Sequence, residues 1–156
     1  MVKEIQYEPL KSGEMGQVEN LVKQVFNEYI AADYSEVAVM DFNLFCTSEN
    51  IQSRIIQQNH QVFVAKNQEQ VVGVIETRDE SHICMLFVHK QYQRKGIAKA
   101  LLLMAFPYTN REITVNASPF AVIIYQKLGF TKITEEIVRN GITYIPMMRE
   151  EKRNII

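Results

Sequence analysis

Gln93-Arg94-Lys95-Gly96-Ile97-Ala98 is the stretch of this chain whose residue types and spacing bear most directly on chemistry. It follows a strongly apolar run, Ile83 to Val88, that reads as a strand, and it leads into the apolar helical pattern of Ala100 to Ala105. A glycine-punctuated turn between a strand and a helix leaves several backbone N–H groups without partners and aims the positive end of the helix dipole at one point. Such a point attracts an anion, phosphate above all. A tight turn that only lets helix and sheet pack has the same local sequence. No Gly-Lys-Ser/Thr closes a P-loop, and there is no GxGxxG.

A second constellation runs from Asn116 to Phe130. A strand, Glu112 to Val115, ends at Asn116, and Ser118-Pro119 opens a helix with serine as N-cap and proline at the first helical position; Gly129 closes it. Tyr125 shares a face of that helix with Ala121 and Leu128, which suits a packing aromatic, and Asn116 suits a strand-ending turn. Taken together and in this order, the two strand-helix units resemble the GNAT superfamily, the acyl-CoA-dependent N-acetyltransferases. The first unit matches the family's Gln/Arg-x-x-Gly-x-Gly/Ala signature, and the second matches at Asn116, Ser118, Tyr125, Gly129 and Phe130. The resemblance covers Glu4 to Arg149 and is sharp between Cys84 and Phe130. Two departures are Lys90, where members often carry proline, and Ala98, where many carry glycine.

The resemblance implies acetyl-CoA as co-substrate and no metal. It implies that the backbone amides of Arg94, Lys95, Gly96, Ile97, Ala98 and Lys99, with Gln93 ahead of them, cradle the coenzyme A pyrophosphate, and that Arg94 or Lys95 adds a charge-assisted contact. Asn116 and Ser118 would touch the cofactor. A bulge at Leu86-Phe87-Val88 would free amides for the pantetheine and the developing oxyanion. Tyr125 would donate the proton that the leaving thiolate needs.

Acetyl transfer also needs an amine that has lost its proton. Glu76, near the end of the third predicted strand, and His82, at the start of the fourth, are the titratable groups suited to that task near neutral pH. Both also read as solvated strand-end residues, and many family members use a water chain instead. Cys84 as an acyl-carrying nucleophile is a weaker reading than a buried strand thiol. For the acceptor, Gln24 to Ser53 carries Glu28, Asp33, Glu36, Asp41 and Glu49 without a lysine or arginine, interleaved with Tyr29, Tyr34, Phe42 and Phe45. That composition suits either an acidic, aromatic-lined mouth for a cationic amine or an ordinary solvated helix face.

The elements that must hold these residues follow from periodicity. A strand over Glu4 to Pro9 precedes a helix with Val18, Leu21, Val22, Val25, Phe26, Tyr29 and Ile30 at three/four spacing. Ala31 to Thr47 is less regular, and a short helix starts near a Ser48 cap and carries Ile51, Ile55 and Ile56. Gln61 to Lys66, Gln70 to Thr77 and His82 to Val88 read as an antiparallel meander. Lys132 to Val138 and Ile142 to Met148 flank Asn140-Gly141, the preferred pair for a two-residue hairpin turn. The expected fold class is α/β (α+β), the GNAT acyl-CoA N-acyltransferase fold, with a mixed, mostly antiparallel central sheet of about seven strands flanked by about four helices.

The 156 residues, 47% of them apolar, suffice for one core, so residues 1–156 read as a single domain. A net charge of −1 argues against nucleic acid as a partner. No apolar run reaches membrane-spanning length, and Met1-Val2-Lys3-Glu4 lacks a signal-peptide core, so the expected location is cytoplasmic with no membrane partner. Cys46 and Cys84 have no metal-ligand spacing and read as free thiols. The tail Arg149 to Arg153 reads as solvated chain or a helix end.

The functional expectation is an N-acetyltransferase acting on a primary amine, small molecule or peptide, by direct attack in a ternary complex. The competing reading is a non-catalytic acyl-CoA-binding sensor or interaction module; a weaker third is a protein that keeps the fold without the cofactor. Homodimers are common in the resembled family, often through its last strands, and nothing in Ile133 to Met148 decides the matter.

Overall fold

The structure, a computed structural model, describes residues 4–107 and 111–150. Its sheet has eight strands, β1 (Gln6–Pro9), β2 (Gln61–Asn67), β3 (Gln70–Arg78), β4 (His82–Val88), β5 (Ile113–Ala117), β6 (Thr131–Lys132), β7 (Ile137–Arg139) and β8 (Ile142–Arg149). Five helices accompany them, α1 (Met15–Tyr29), α2 (Glu36–Phe45), α3 (Ser48–Gln58), α4 (Ile97–Ala105) and α5 (Val122–Lys127). The sheet runs β1-β2-β3-β4-β5-β8-β6, with β7 paired to β8, and every pairing is antiparallel except β4 with β5. Arg149 therefore ends a strand, and residues 151–153 of the charged tail lie outside the described residues. No described helix is long and apolar enough to cross a membrane.

Two apolar clusters cover the two faces. Val18, Leu21, Val22, Val25 and Phe26 of α1 and Ile51 of α3 pack on Val62, Val64, Val74, Met85 and Phe87. On the other face Ile97, Leu101 and Leu102 of α4 pack with Ala65, Ile75 and Ile83, continuing to Val115, Tyr125, Phe130 and Met147. Gly73 lets α4 approach closely, because a Cβ there would lie 3.0 Å from Ile97 Cγ2 and 3.1 Å from Leu101 Cδ1. The start of α4 is thereby seated against β3.

Four local expectations change. The region from Ala31 to Thr47 contains a full helix, α2, capped by Ser35 Oγ, which accepts from the Ala38 amide at 3.1 Å. The next helix is capped by Thr47 rather than Ser48, through Asn50 N to Thr47 Oγ1. Lys132 to Val138 is not one strand: β6 stops at Lys132 and β7 starts at Ile137. Pro146 explains the break. The Ile133 amide donates to the Pro146 carbonyl at 2.8 Å, but proline has no N–H to return, so the ladder cannot continue past that pair. Lastly, the bulge in β4 is at Cys84, since Glu76 opposes Met85 whereas Thr77 opposes Ile83. The extra residue reverses the alternation, so Ile83, Leu86 and Val88 share the α4 face while Met85 and Phe87 turn to α1. Beyond Arg139↔Ile142 the hairpin turn is Asn140-Gly141, both with positive φ (54° and 77°), the backbone of a type I′ turn.

Candidate functional site

After β4 the chain makes a single 3-10 turn at Lys90–Tyr92, started by His89, whose Nδ1 accepts from the Gln91 amide at 3.1 Å. The Tyr92 hydroxyl accepts from Asn67 Nδ2 at 2.7 Å, and Gln93 Nε2 donates to the Val88 carbonyl at 3.0 Å. These bonds brace the turn from behind. Gln93 thus spends its side-chain donor on the strand end. Arg94 takes φ 64° and Gly96 φ 83°, after which α4 begins. Among the described residues no backbone N–H from Gln93 to Lys99 finds a protein acceptor, and the first helical bond reaching back to the turn is Ala100 N to Gly96 O at 3.0 Å. A Cβ at Gly96 would meet nothing within 4 Å, so open space lies over these amides. Arg94, Lys95 and Lys99 are exposed around it, with Lys95 Nζ 5.4 Å from the Tyr92 ring. Unpaired amides, a helix N-terminus and three cations together fit a phosphate group.

The turn stands at the mouth of a gap. Strands β4 and β5 pair only at His82↔Thr114 and Ile83↔Val115, and β5 is held on its far side by β8 along its whole length. Past Ile83 the two strands therefore diverge, leaving the β5-facing edge of β4 without a partner strand. Leu86, Phe87 and Val88 remain regularly paired to Ile75, Val74 and Gly73 on their other edge. Their freedom comes from divergence and not from a bulge within them. Across the gap, Asn116 is exposed opposite Pro146, and Ser118 Oγ accepts from the Ala121 amide at 3.3 Å as the cap of the Pro119–Ala121 turn. Tyr125 follows on α5, 5% exposed, with its ring edge-on to Phe130 at 5.4 Å. Burial raises its phenol well above the ordinary value, so the proton stays on through neutral pH.

An anion turn at one side of parted parallel strands, and a buried tyrosine at the other, has counterparts among known proteins. The family described as acetyltransferase (GNAT) domain matches residues 30–151. This chain belongs to the GNAT acetyltransferase family. The uncharacterized N-acetyltransferase YafP of Escherichia coli strain K12 is 40% identical over 78 residues, which are 50% of this chain and 51% of that protein, so the likeness spans about half the length of that curated relative. Among solved structures, PaiA N-acetyltransferase from Thermoplasma acidophilum in complex with coenzyme A aligns with TM-score 0.77 at 18% identity, covering 95% of this chain and 99% of that one. A GCN5-related N-acetyltransferase from Rhodopseudomonas palustris aligns with TM-score 0.76 at 20% identity, covering 96% and 98%. Both likenesses establish the GNAT fold.

Neither expected proton acceptor keeps the setting that its strand-end position suggested. Glu76 is 0% exposed. Its Oε2 takes Arg54 Nε at 2.6 Å and lies 2.7 Å from His60 Nδ1, and its Oε1 takes Arg54 Nη2 at 2.9 Å. A base must come within a hydrogen bond, or one water, of the proton it removes. A sealed carboxylate with both oxygens engaged does not meet that condition. His82 is half-buried, with Nδ1 2.8 Å from Thr114 Oγ1, on the stretch where β4 and β5 are still joined. Burial, ahead of the nearby Arg78, lowers its pKa and favours the neutral ring.

Sequence reasoning missed Arg54 and His60, which lie more than 30 positions ahead of the first signature and whose only sign is a charged residue on the buried face of α3 beside Ile51. With Cys84 Sγ 3.9 Å from His60 Nδ1, the group includes three metal-type donors within 4.8 Å of one another. The Arg54 guanidinium occupies the carboxylate from which a cation would have to be held, so the set reads as an ion-paired strut. Both thiols are free; burial pushes Cys84 to about 11 and Cys46 to about 12. Neither is a thiolate at neutral pH, which removes Cys84 as a nucleophile.

The stretch from Gln24 to Ser53 divides between side chains packed on the core and charges on the surface. Phe42 stacks on Phe26 at 4.1 Å and Tyr34 meets Phe26 edge-on at 5.0 Å, both half-buried and packed against the core. Phe45 lies under the Arg54 guanidinium, 3.6 Å from its ring centre. Glu28 is paired with Lys90 at 2.7 Å. Asp33, Glu36, Asp41 and Glu49 are exposed. Two of the expected aromatics reach across the gap: Tyr29 stacks on Phe120 at 4.4 Å and 15°, and the Tyr34 backbone bridges to Ile142.

Proposed function

We propose that this GNAT domain transfers the acetyl group of acetyl-CoA to a primary amine by direct attack in a ternary complex, and that residues 1–156 act as one domain. The observation that carries the reading is the fan of unpaired amides from Gln93 to Lys99 opening beside the parted β4 and β5. PaiA, whose fold this chain shares, was crystallised with coenzyme A. In this reading the amides of residues 94–99 hold the pyrophosphate, with Arg94 and Lys95 at its rim. The free edge of Leu86 to Val88 orders the pantetheine and faces the oxyanion. The amine nitrogen bonds to the thioester carbonyl carbon, the carbon–sulfur bond breaks, and the Tyr125 hydroxyl gives its proton to the departing sulfur. Because Glu76 is sealed by Arg54 and His60, water within the gap takes the proton from the amine.

That sealing also favours a second reading, an acyl-CoA-binding sensor without turnover. Coenzyme thiol release from acetyl-CoA across a panel of primary amines, with wild type beside Tyr125→Phe, separates the two. Release that depends on one amine class and falls about 10²-fold or more in the variant, with coenzyme A affinity unchanged, supports transfer with Tyr125 as acid. Tight binding without release for any amine supports the sensor.

A further inference from the structure

Helix α2 is apolar on both sides. At about 100° per residue, Ala38, Phe42 and Phe45 fall on one side, and these are the residues in or against the core. Val37, Met40 and Leu44 fall almost opposite and are 67%, 65% and 61% exposed. Their spacing, i, i+3, i+7, is that of a coiled-coil seam one side chain wide, about 10 Å long over two turns. Glu36 lies along one margin of this stripe and Asp41 along the other, both exposed, in the places where a coiled coil carries the charges that choose its partner. No lysine or arginine occurs between Gln24 and Ser53.

We infer that this outer face of α2 is a docking surface for a basic amphipathic helix of another protein, one whose apolar seam is flanked by lysine or arginine. The charge pattern selects the occupant. A second copy docked through the same stripe would set Glu36 and Asp41 of one protomer against those of the other, since an isologous contact repeats the same groups. An anionic lipid surface meets the same repulsion. A helix with cationic margins instead finds opposite charge on both sides of three apolar side chains. The inference stands whether or not turnover is found.

The test uses the full chain and a synthetic 21-residue helix with leucine at the seam positions, lysine at both margins and alanine or glutamine elsewhere; a control peptide carries glutamate at the margins. Fluorescence anisotropy should show saturable binding of the lysine peptide that weakens as salt rises from about 50 to about 300 mM. The glutamate peptide should bind at least about tenfold more weakly. Met40→Gln should abolish binding, and Glu36→Lys with Asp41→Lys should invert the order of the two peptides, circular dichroism confirming an unchanged fold. Equal binding of both peptides, no binding of either, or survival of binding in Met40→Gln overturns the proposal. So does a dimer in sedimentation that Met40→Gln dissolves, or binding to phosphatidylglycerol vesicles that Met40→Gln removes.

Discussion

The Arg54 guanidinium reaches two elements beyond its own helix. It donates to both oxygens of Glu76 on β3 and to the Phe45 carbonyl at the end of α2, at 2.6 Å, and it also covers the Phe45 ring. A carboxylate without solvent exposure is tolerable only while it is paired, because desolvation costs it far more than a neutral side chain. Arg54→Met leaves Glu76 with His60 alone and frees the end of α2. We expect it to lower stability by about 3–5 kcal/mol, read as an earlier urea midpoint. Pairing it with Glu76→Leu should recover much of that loss, since apolar residues of similar volume often replace a buried ion pair at little cost. An unchanged midpoint in Arg54→Met would mean that the cluster does not strut the fold. This is why Glu76 misled at the level of sequence: a glutamate near a strand end looks solvated until a residue 22 positions earlier is known to cover it.

Among the elements, the turn before α4 carries the sharpest prediction. Gly96 holds φ 83° with open space where a Cβ would be, so a side chain there meets no steric wall but does meet an unfavourable backbone region. A β-branched residue feels this most, at about 1–2 kcal/mol, and escapes it by turning the amides away from their common focus. Gly96→Val should therefore weaken coenzyme A binding by about tenfold or more, and Arg94→Ala, which removes one exposed charge, by less, as measured by titration calorimetry. The reverse order would overturn the amide cradle. The same elements show how much of the molecule was legible in advance. The meander β2 to β4, helix α1 and the Asn140-Gly141 hairpin follow from strict periodicity and turn chemistry, and the structure has all of them. Helix α2 escaped because its exposed stripe cancels the amphipathic signal that its buried side would have given. The break after β6 escaped because it depends on the ladder partner Pro146, more than ten positions away. The candidate site was legible as two strand-helix junctions, one marked by Gly96 and the other by Ser118-Pro119. Its closure was not, because that rests on contacts between distant segments.

At the scale of the whole molecule, β1 to β4 and β5 to β8 are joined through a two-residue ladder, with the gap beyond it. Three contacts cross that gap from the α1–α2 side. Tyr29 stacks on Phe120, Tyr34 bridges to Ile142, and the Ser35 amide donates to the Gly141 carbonyl at 2.8 Å. The last is the most vulnerable. A Cβ at Gly141 would overlap Ser35 Oγ, which caps α2, and would lie 2.8 Å from Ser35 Cβ, on a backbone already at φ 77°. Gly141→Ala must push the hairpin and the start of α2 apart. Overpacking and backbone strain together suggest a loss of about 1–3 kcal/mol and faster hydrogen exchange at the Ser35 amide. Adding Ser35→Gly removes the overlapping atoms at a capping cost of only a few tenths of a kcal/mol, so the double variant should regain the steric part of the loss and keep the strain. If the clasp also bounds the acceptor pocket, Gly141→Ala raises KM for the amine while coenzyme A affinity, which the proposed function assigns mainly to the amides of residues 94–99, stays near wild type. A double variant no more stable than Gly141→Ala would show that the contact with Ser35 does not hold the two halves together.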